Sequence, residues 1–385
     1  MREVRKNCKR GAMVPVVLAV FLLLLYDSAA AQDWSWTKET VDTSGRSTSL
    51  VVDADGNAHI SYGKDGELNY GFRPAGREFH WYTMKLGGGV NYTDIKVDQR
   101  GNAQICATYL SLPLRFLHFD GKNWHTDEIA PDDKMGVEWS CAIGISPDGR
   151  RSASWYRIAP DNSAHMRYAV LKDATWQMRT LDFAEQTGKW ESMAIDSQGN
   201  PNISYDCYVN GELKFARWDG KDWVIRIVDS RGRSGSDYNL GMGNHLALDP
   251  EGNAHISYYT TSLLRYASQD GQGWKIQDVA AVRPTGNSVD FRSSLVLDRD
   301  GRPHISYEDF GTLKHAYWDG QAWRIQVVAP NGRSSSRFNS MAIDRKEDIL
   351  YIAFQDPADG SLQVAVGRGV THSQTAAGDR ASGKH

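Results

Sequence analysis

The chain has 385 residues and a formal net charge of −3, and residues 1–31 hold Arg2, Arg5, Lys6, Lys9 and Arg10 against Glu3 and Asp27, leaving residues 32–385 near −6. That balance excludes a general nucleic-acid or membrane-surface binder, which needs a basic excess. Of the four cysteines, Cys8 lies in the basic segment; Cys106, Cys141 and Cys207 allow one bridge, whose partners the spacing does not select, and leave one thiol free.

The first element in chain order is a targeting segment. Basic residues precede the apolar run Val14–Tyr26, and Ala29, Ala30 and Ala31 supply small residues before Gln32, which reads as a secretory signal over 1–31. Its apolar run is too short to span a bilayer comfortably, since a spanning helix takes about 20 residues. The expected address is secreted or periplasmic, with no membrane span once the signal is cleaved.

From residue 32 onward the chain repeats. Trp36, Trp81, Trp124, Trp176, Trp223, Trp274 and Trp323 each open a short apolar strand, and between them four strands recur per unit. Units of about 40–50 residues with four strands predict propeller blades. The first strand ends in Asp53, Asp98, Ser146, Asp196, Asp249, Asp298 or Asp344 ahead of a tight turn, as in Asp249-Pro-Glu-Gly-Asn253. The second alternates strictly, as in His304-Ile-Ser-Tyr307, and predicts a strand packed on both sides. The seventh unit lacks its fourth strand, whereas Trp36 to Asp42 matches Trp223 to Asp229. The N-terminal strand is therefore expected to complete the last blade, giving an all-β, seven-bladed propeller of four-stranded antiparallel blades over 32–369, followed by a disordered tail over 370–385.

The turn Ser268-Gln-Asp270-Gly271-Gln-Gly-Trp274 resembles the Asp-box of sialidase-type propellers, with one residue fewer between Asp and Gly. The repeat as a whole resembles the secreted bacterial proteins whose unit reads Leu-x-Asp-x-x-Gly-x-x-His-Ile-Ser-Tyr. The resemblance implies a propeller and export. It carries over no catalytic residue, because the Asp-box is a structural turn.

Function is expected on the face that carries the inter-blade connections and the strand-two to strand-three connections, where the repeat varies. Tyr92, Trp139, Trp190, Tyr238, Phe291 and Phe338 precede the first strands there and predict a ring of aromatics around the channel mouth. Arg46, Arg233, Arg292, Arg333 and Arg337 are nearby and suit carboxylate or sulfate. Asp94 and His245 stand where other units have Ser49, Ser192, Ser294 and Ser340. His59, His255 and His304 share one repeated position and are expected to be architectural. No local spacing gathers metal ligands, and no cofactor is expected.

Two functions fit these residues. One is an exported binding protein, expected to be a monomer, that takes a glycan or an extracellular or periplasmic protein. The other is a carbohydrate-active enzyme on an anionic polysaccharide, with a lyase preferred: Arg292 or Arg337 neutralises the uronate, His245 is the base, and Tyr208 or Tyr259 is the acid.

Overall fold

The structure, a computed structural model, describes residues 34–76, 80–109, 113–129, 137–158, 163–184, 187–230, 240–271, 273–283, 292–330 and 338–370, with the backbone alone at 137–139. The targeting segment, most of the tail, Tyr238, Phe291, Arg233, Arg333, Arg337 and the side chain of Trp139 lie outside the described residues. Strands β1 to β28, numbered in chain order, form seven four-stranded antiparallel sheets. Blade 1 runs from Arg46 to Gly89, blades 2–6 from Tyr92 to Ile129, Val137 to Asp182, Ser192 to Asp229, Met242 to Ala281 and Ser294 to Ala329, and blade 7 joins Ser340 to Gly369 with Trp34–Asp42.

The closure expected from sequence is present. β1 (Trp34–Asp42) pairs with β28 (Leu362–Gly369) from Trp34↔Gly369 to Asp42↔Leu362, so the two chain ends seal one sheet. Glu39 on β1 then reaches blade 1, where both carboxylate oxygens accept from Nε and Nη2 of Arg73 at 2.8 and 3.0 Å and Trp81 Nε1 donates at 3.1 Å. All three side chains are buried.

The core lies between blades. The second strands β7 (Ala103–Thr108), β15 (Pro201–Cys207) and β23 (Pro303–Asp309) are buried at every residue. The recurring tryptophan has a direct cause. Trp124, Trp223, Trp274 and Trp323 set their rings edge-to-face on Tyr70, Tyr168, Phe215 and Tyr266 of the preceding blade, with centroids 5.0–5.4 Å apart. Such a pair adds about 0.5–1.5 kcal/mol to the area it buries. The repeated histidines are architectural, as expected: His59 bridges Tyr70 and Asp53, and His255 bridges Tyr266 and Asp249.

Two of the strand-two to strand-three connections, Asp65-Gly66 in blade 1 and Phe310-Gly311 in blade 6, have positive φ at both residues, the signature of two-residue primed hairpins, while those of blades 4, 5 and 7 run longer, over 208–211, 260–262 and 356–361.

Two sets of side-chain bonds join neighbouring inner strands. In the first, a residue of one blade accepts the backbone N–H of the next: Ser340 from Leu50, Ser49 from Ile95, Asp94 from Ile143, Ser192 from Leu246, His245 from Leu295 and Ser294 from Met341. The equivalent residue of blade 3 is Ala142, which offers no acceptor. In the second set, a strand-two side chain meets the residue one place earlier on the next inner strand. These clasps are Ser61–Thr93, Ser204–Asn244, Ser257–Ser293 and Ser306–Asn339. The Cys106–Cys141 disulfide occupies the same place between blades 2 and 3, and Cys207 is the buried free thiol.

Glu39→Ala strands the buried Arg73 guanidinium and should destabilise the fold by about 3–5 kcal/mol in urea unfolding. The double variant Cys106→Ser, Cys141→Ser should keep the fold, since Ser257–Ser293 is a working version of that clasp. It should lose about 2–4 kcal/mol, as should the reduced wild-type protein.

Candidate functional site

Two places before each acceptor in the first set of bonds, the inner strands carry Ser47, Tyr92, Ser140, Trp190, Gly243, Arg292 and Phe338 in blade order. Four of these side chains meet. The Tyr92 ring lies 6.2 Å from that of Trp190 and 5.8 Å from that of Phe338, both edge-to-face. The Arg292 guanidinium sits 5.2 Å from the Tyr92 centroid and 5.3 Å from that of Trp190, within cation–π range. These residues come from blades 2, 4, 6 and 7, which are not all neighbours, so they converge across the channel mouth.

That geometry corrects the sequence reading. The expected ring of aromatics is a central cluster, and Trp190 is only 3% exposed. At the cluster's position blades 3 and 6 carry Ser140 and Arg292, not an aromatic residue.

Local structure holds the cluster in place. Gly188, at φ 107°, turns the chain so that its N–H reaches the Asp206 carbonyl at 2.9 Å, and a Cβ there would meet Met166 atoms at 2.7–2.9 Å. Trp190 adopts the left-handed region at φ 59°, a conformation costing about 1–3 kcal/mol in a non-glycine residue. Its carbonyl is fixed by Asn244 Nδ2 of blade 5 at 2.5 Å. Asn339 Nδ2 of blade 7 likewise holds the Arg292 carbonyl at 2.7 Å. Trp190 and Arg292 are thus each anchored by the blade that comes after their own.

Between blades 3 and 4 both repeated bonds fail together; between blades 7 and 1 the strand-two clasp position is Ala353, but Ser340 still accepts the Leu50 N–H. Ala142 leaves the Met193 N–H without a side-chain acceptor, and the clasp residue facing Ser154 is Glu191. Glu191 does not bond Ser154. Its Oε2 accepts from Ser140 Oγ at 2.5 Å, while Glu191 Oε1, Ser154 Oγ and Asp206 Oδ1 are enclosed without partners among the described residues. Burial pushes the Glu191 carboxyl up to about 7, against the opposing pull of Ser140 and Arg292 and with an added push from Asp94. Burial also raises Asp206 well above the usual carboxylate range, opposed by Lys189 and reinforced by Glu191. Neither acid was singled out from the sequence; Glu191 carries a signal, a carboxylate at a repeat position held elsewhere by Thr48, Thr93, Cys141, Asn244, Ser293 and Asn339, whereas the position of Asp206 is acidic in blade 6 as well, at Glu308.

Below the cluster, a cavity of about 520 Å³ is lined by Ser49, Asp94, Lys96, His245 and Ser340 among others. Asp94 is bound to Lys96 Nζ at 2.9 Å as well as to Ser49 and the Ile143 N–H. His245 accepts the Leu295 N–H at Nδ1, 3.1 Å away, so its neutral ring carries the proton on Nε2. Burial, then the nearby Lys96 charge, hold its pKa down to about 4.

These contacts remove two of the roles assigned to a lyase. His245 spends its basic nitrogen on the backbone and cannot act as the base without breaking that bond. Tyr259 is 4% exposed, and its hydroxyl both accepts the Glu308 N–H and donates to the Glu308 carbonyl. Tyr208 is 41% exposed and Arg46 is exposed on β2 (Arg46–Val52). Among the described residues, no group of three or more His, Cys, Asp or Glu side chains could hold a metal ion, and no helix is long and apolar enough to cross a membrane.

The chain matches no protein-family model and no curated protein. Among solved structures it is similar to the fungal Aleuria aurantia lectin in complex with Fucα1-6GlcNAc, at 14% identity over 75% of this chain and 97% of that one, TM-score 0.51. It is similar also to a protein of unknown function from Dyadobacter fermentans, at 9% identity over 88% of this chain and 99% of that one, TM-score 0.52. The lectin is described as six-bladed, one blade fewer than here. At these identities the likeness establishes the β-propeller fold.

The repeat supplies a test of His245. His245→Ser restores the common acceptor and should leave stability at pH 7 nearly unchanged, whereas His245→Ala loses it at a cost of about 1 kcal/mol. Because the folded pKa lies below the unfolded value of 6.5, the unfolded state binds the extra proton between pH 6.5 and 4. Wild-type stability from this group should fall as pH drops through that window. Urea midpoints at pH 7 and 5 should show that loss reduced in His245→Ser.

Proposed function

We propose that this protein is an exported, non-enzymatic propeller that binds a glycan through the channel mouth on the side of the long inter-blade connections. The observation that carries the reading is the convergence of Tyr92, Trp190, Phe338 and Arg292 from four blades, with Nε and Nη2 of Arg292 enclosed and unpartnered among the described residues. Strained backbone at Trp190 and two broken inter-blade bonds at one seam are departures that packing alone does not reward, and such departures cluster where ligands are held. The fold likeness to a lectin crystallised with Fucα1-6GlcNAc supports a sugar as the ligand class. The signal-like segment and the Cys106–Cys141 bridge support export into an oxidising compartment.

Screening the purified protein against a broad glycan array should give retention without product release. Tyr92→Ala and Arg292→Ala should each weaken the retained glycan by tenfold or more in titration calorimetry, with the melting temperature held near wild type. Retention that survives both substitutions, or no retention across the array, overturns the proposal.

A further inference from the structure

Arg73 and Arg292 present the same guanidinium edge in two different settings. In Arg73, Nε and Nη2 grip both oxygens of Glu39, the paired geometry that matches a carboxylate. In Arg292 those same two atoms are enclosed and have no partner among the described residues, although Glu191 stands near enough for Arg292 to favour its ionised form. The two make no ion pair. Arg292 lies over the Tyr92 and Trp190 rings, and Glu191 turns Oε2 to Ser140.

We infer that the mouth selects a sugar bearing a carboxylate, gripped by the Nε and Nη2 edge of Arg292, and that Glu191 is the built-in competitor whose ionisation weakens that grip. This inference rests on the glycan-binding reading and names its ligand class and its control. Since the edge is shut off from solvent, the guanidinium must turn on its two rings to meet the ligand. Binding therefore exchanges cation–π contact for a paired hydrogen bond, which a desolvated carboxylate repays and a neutral hydroxyl does not.

The acid–base control arises from the groups around Glu191. Ser140 binds it from β10 (Val137–Ile145), Arg292 stabilises its charge, and Asp94 opposes that charge. Asp206 on β15 adds a second buried acid, itself influenced by Lys189. With its carboxyl titrating near 7, Glu191 is mostly neutral at pH 6 and mostly ionised at pH 8. A ligand uronate, with a carboxyl of ordinary acidity around 3–4, stays ionised throughout. Anionic ligand should consequently bind more tightly as pH falls from 8 to 6.

The test uses titration calorimetry with galacturonate tetrasaccharide, its methyl ester and a sulfated galactan tetrasaccharide, at pH 6 and pH 8. The free acid should bind wild type up to about tenfold more tightly at pH 6, from the change in neutral Glu191. The ester should bind at least tenfold more weakly than the acid. Glu191→Gln should bind the acid equally at both pH values, and Arg292→Met should lose the preference for acid over ester. Thermal melts at both pH values check that each variant is folded. If the ester binds as well as the acid, if the sulfated sugar is preferred, or if Glu191→Gln keeps the full pH dependence, this inference fails while glycan binding stands. If no glycan of any charge binds, the parent reading fails instead.

Discussion

Each blade presents an inner strand whose outer N–H groups face the channel, and a buried donor of that kind needs an acceptor. The preceding blade supplies it from one side chain, six times around the ring. This bond fixes the height of each blade against the next, and so decides which side chains reach the mouth.

The same constraint explains residues whose type varies while their task does not. Serine, aspartate and histidine all serve as the acceptor, and hydroxyl pairs, amide–hydroxyl pairs and a disulfide all serve as the clasp behind it. Chemistry that looks singular in the sequence can therefore be an equivalent part. Glu39 extends the principle to closure, because the strand that completes blade 7 is tied to blade 1 through Arg73 and Trp81.

Against that regularity the blade 3–4 seam stands apart. Acceptor and clasp are both lost there, and two buried acids lie beside it, next to the strained Trp190. Buried unpartnered polar atoms cost about 1–3 kcal/mol each. Glu191, Asp206 and Ser154 contribute three such atoms at this seam, and Arg292 two more at the cluster.

Period, strand number, tight turns and ring closure were legible in the residues, because each depends on local pattern: alternation along a strand, Asp and Gly at turns, a missing fourth strand matched by a spare one. The pairing of Cys106 with Cys141 was not, since the spacing left the partners open and only the packing of blade 2 on blade 3 brings the two together. Nor was it legible that Ser140 and Arg292 hold the cluster's position in blades 3 and 6, since only paired backbones set that register. Nor could the chain announce that His245 gives its basic nitrogen to Leu295, or that Glu191 and Asp206 are buried near Arg292. Those properties arise from desolvation and from residues tens of positions away, and they exist only once the blades have closed on one another.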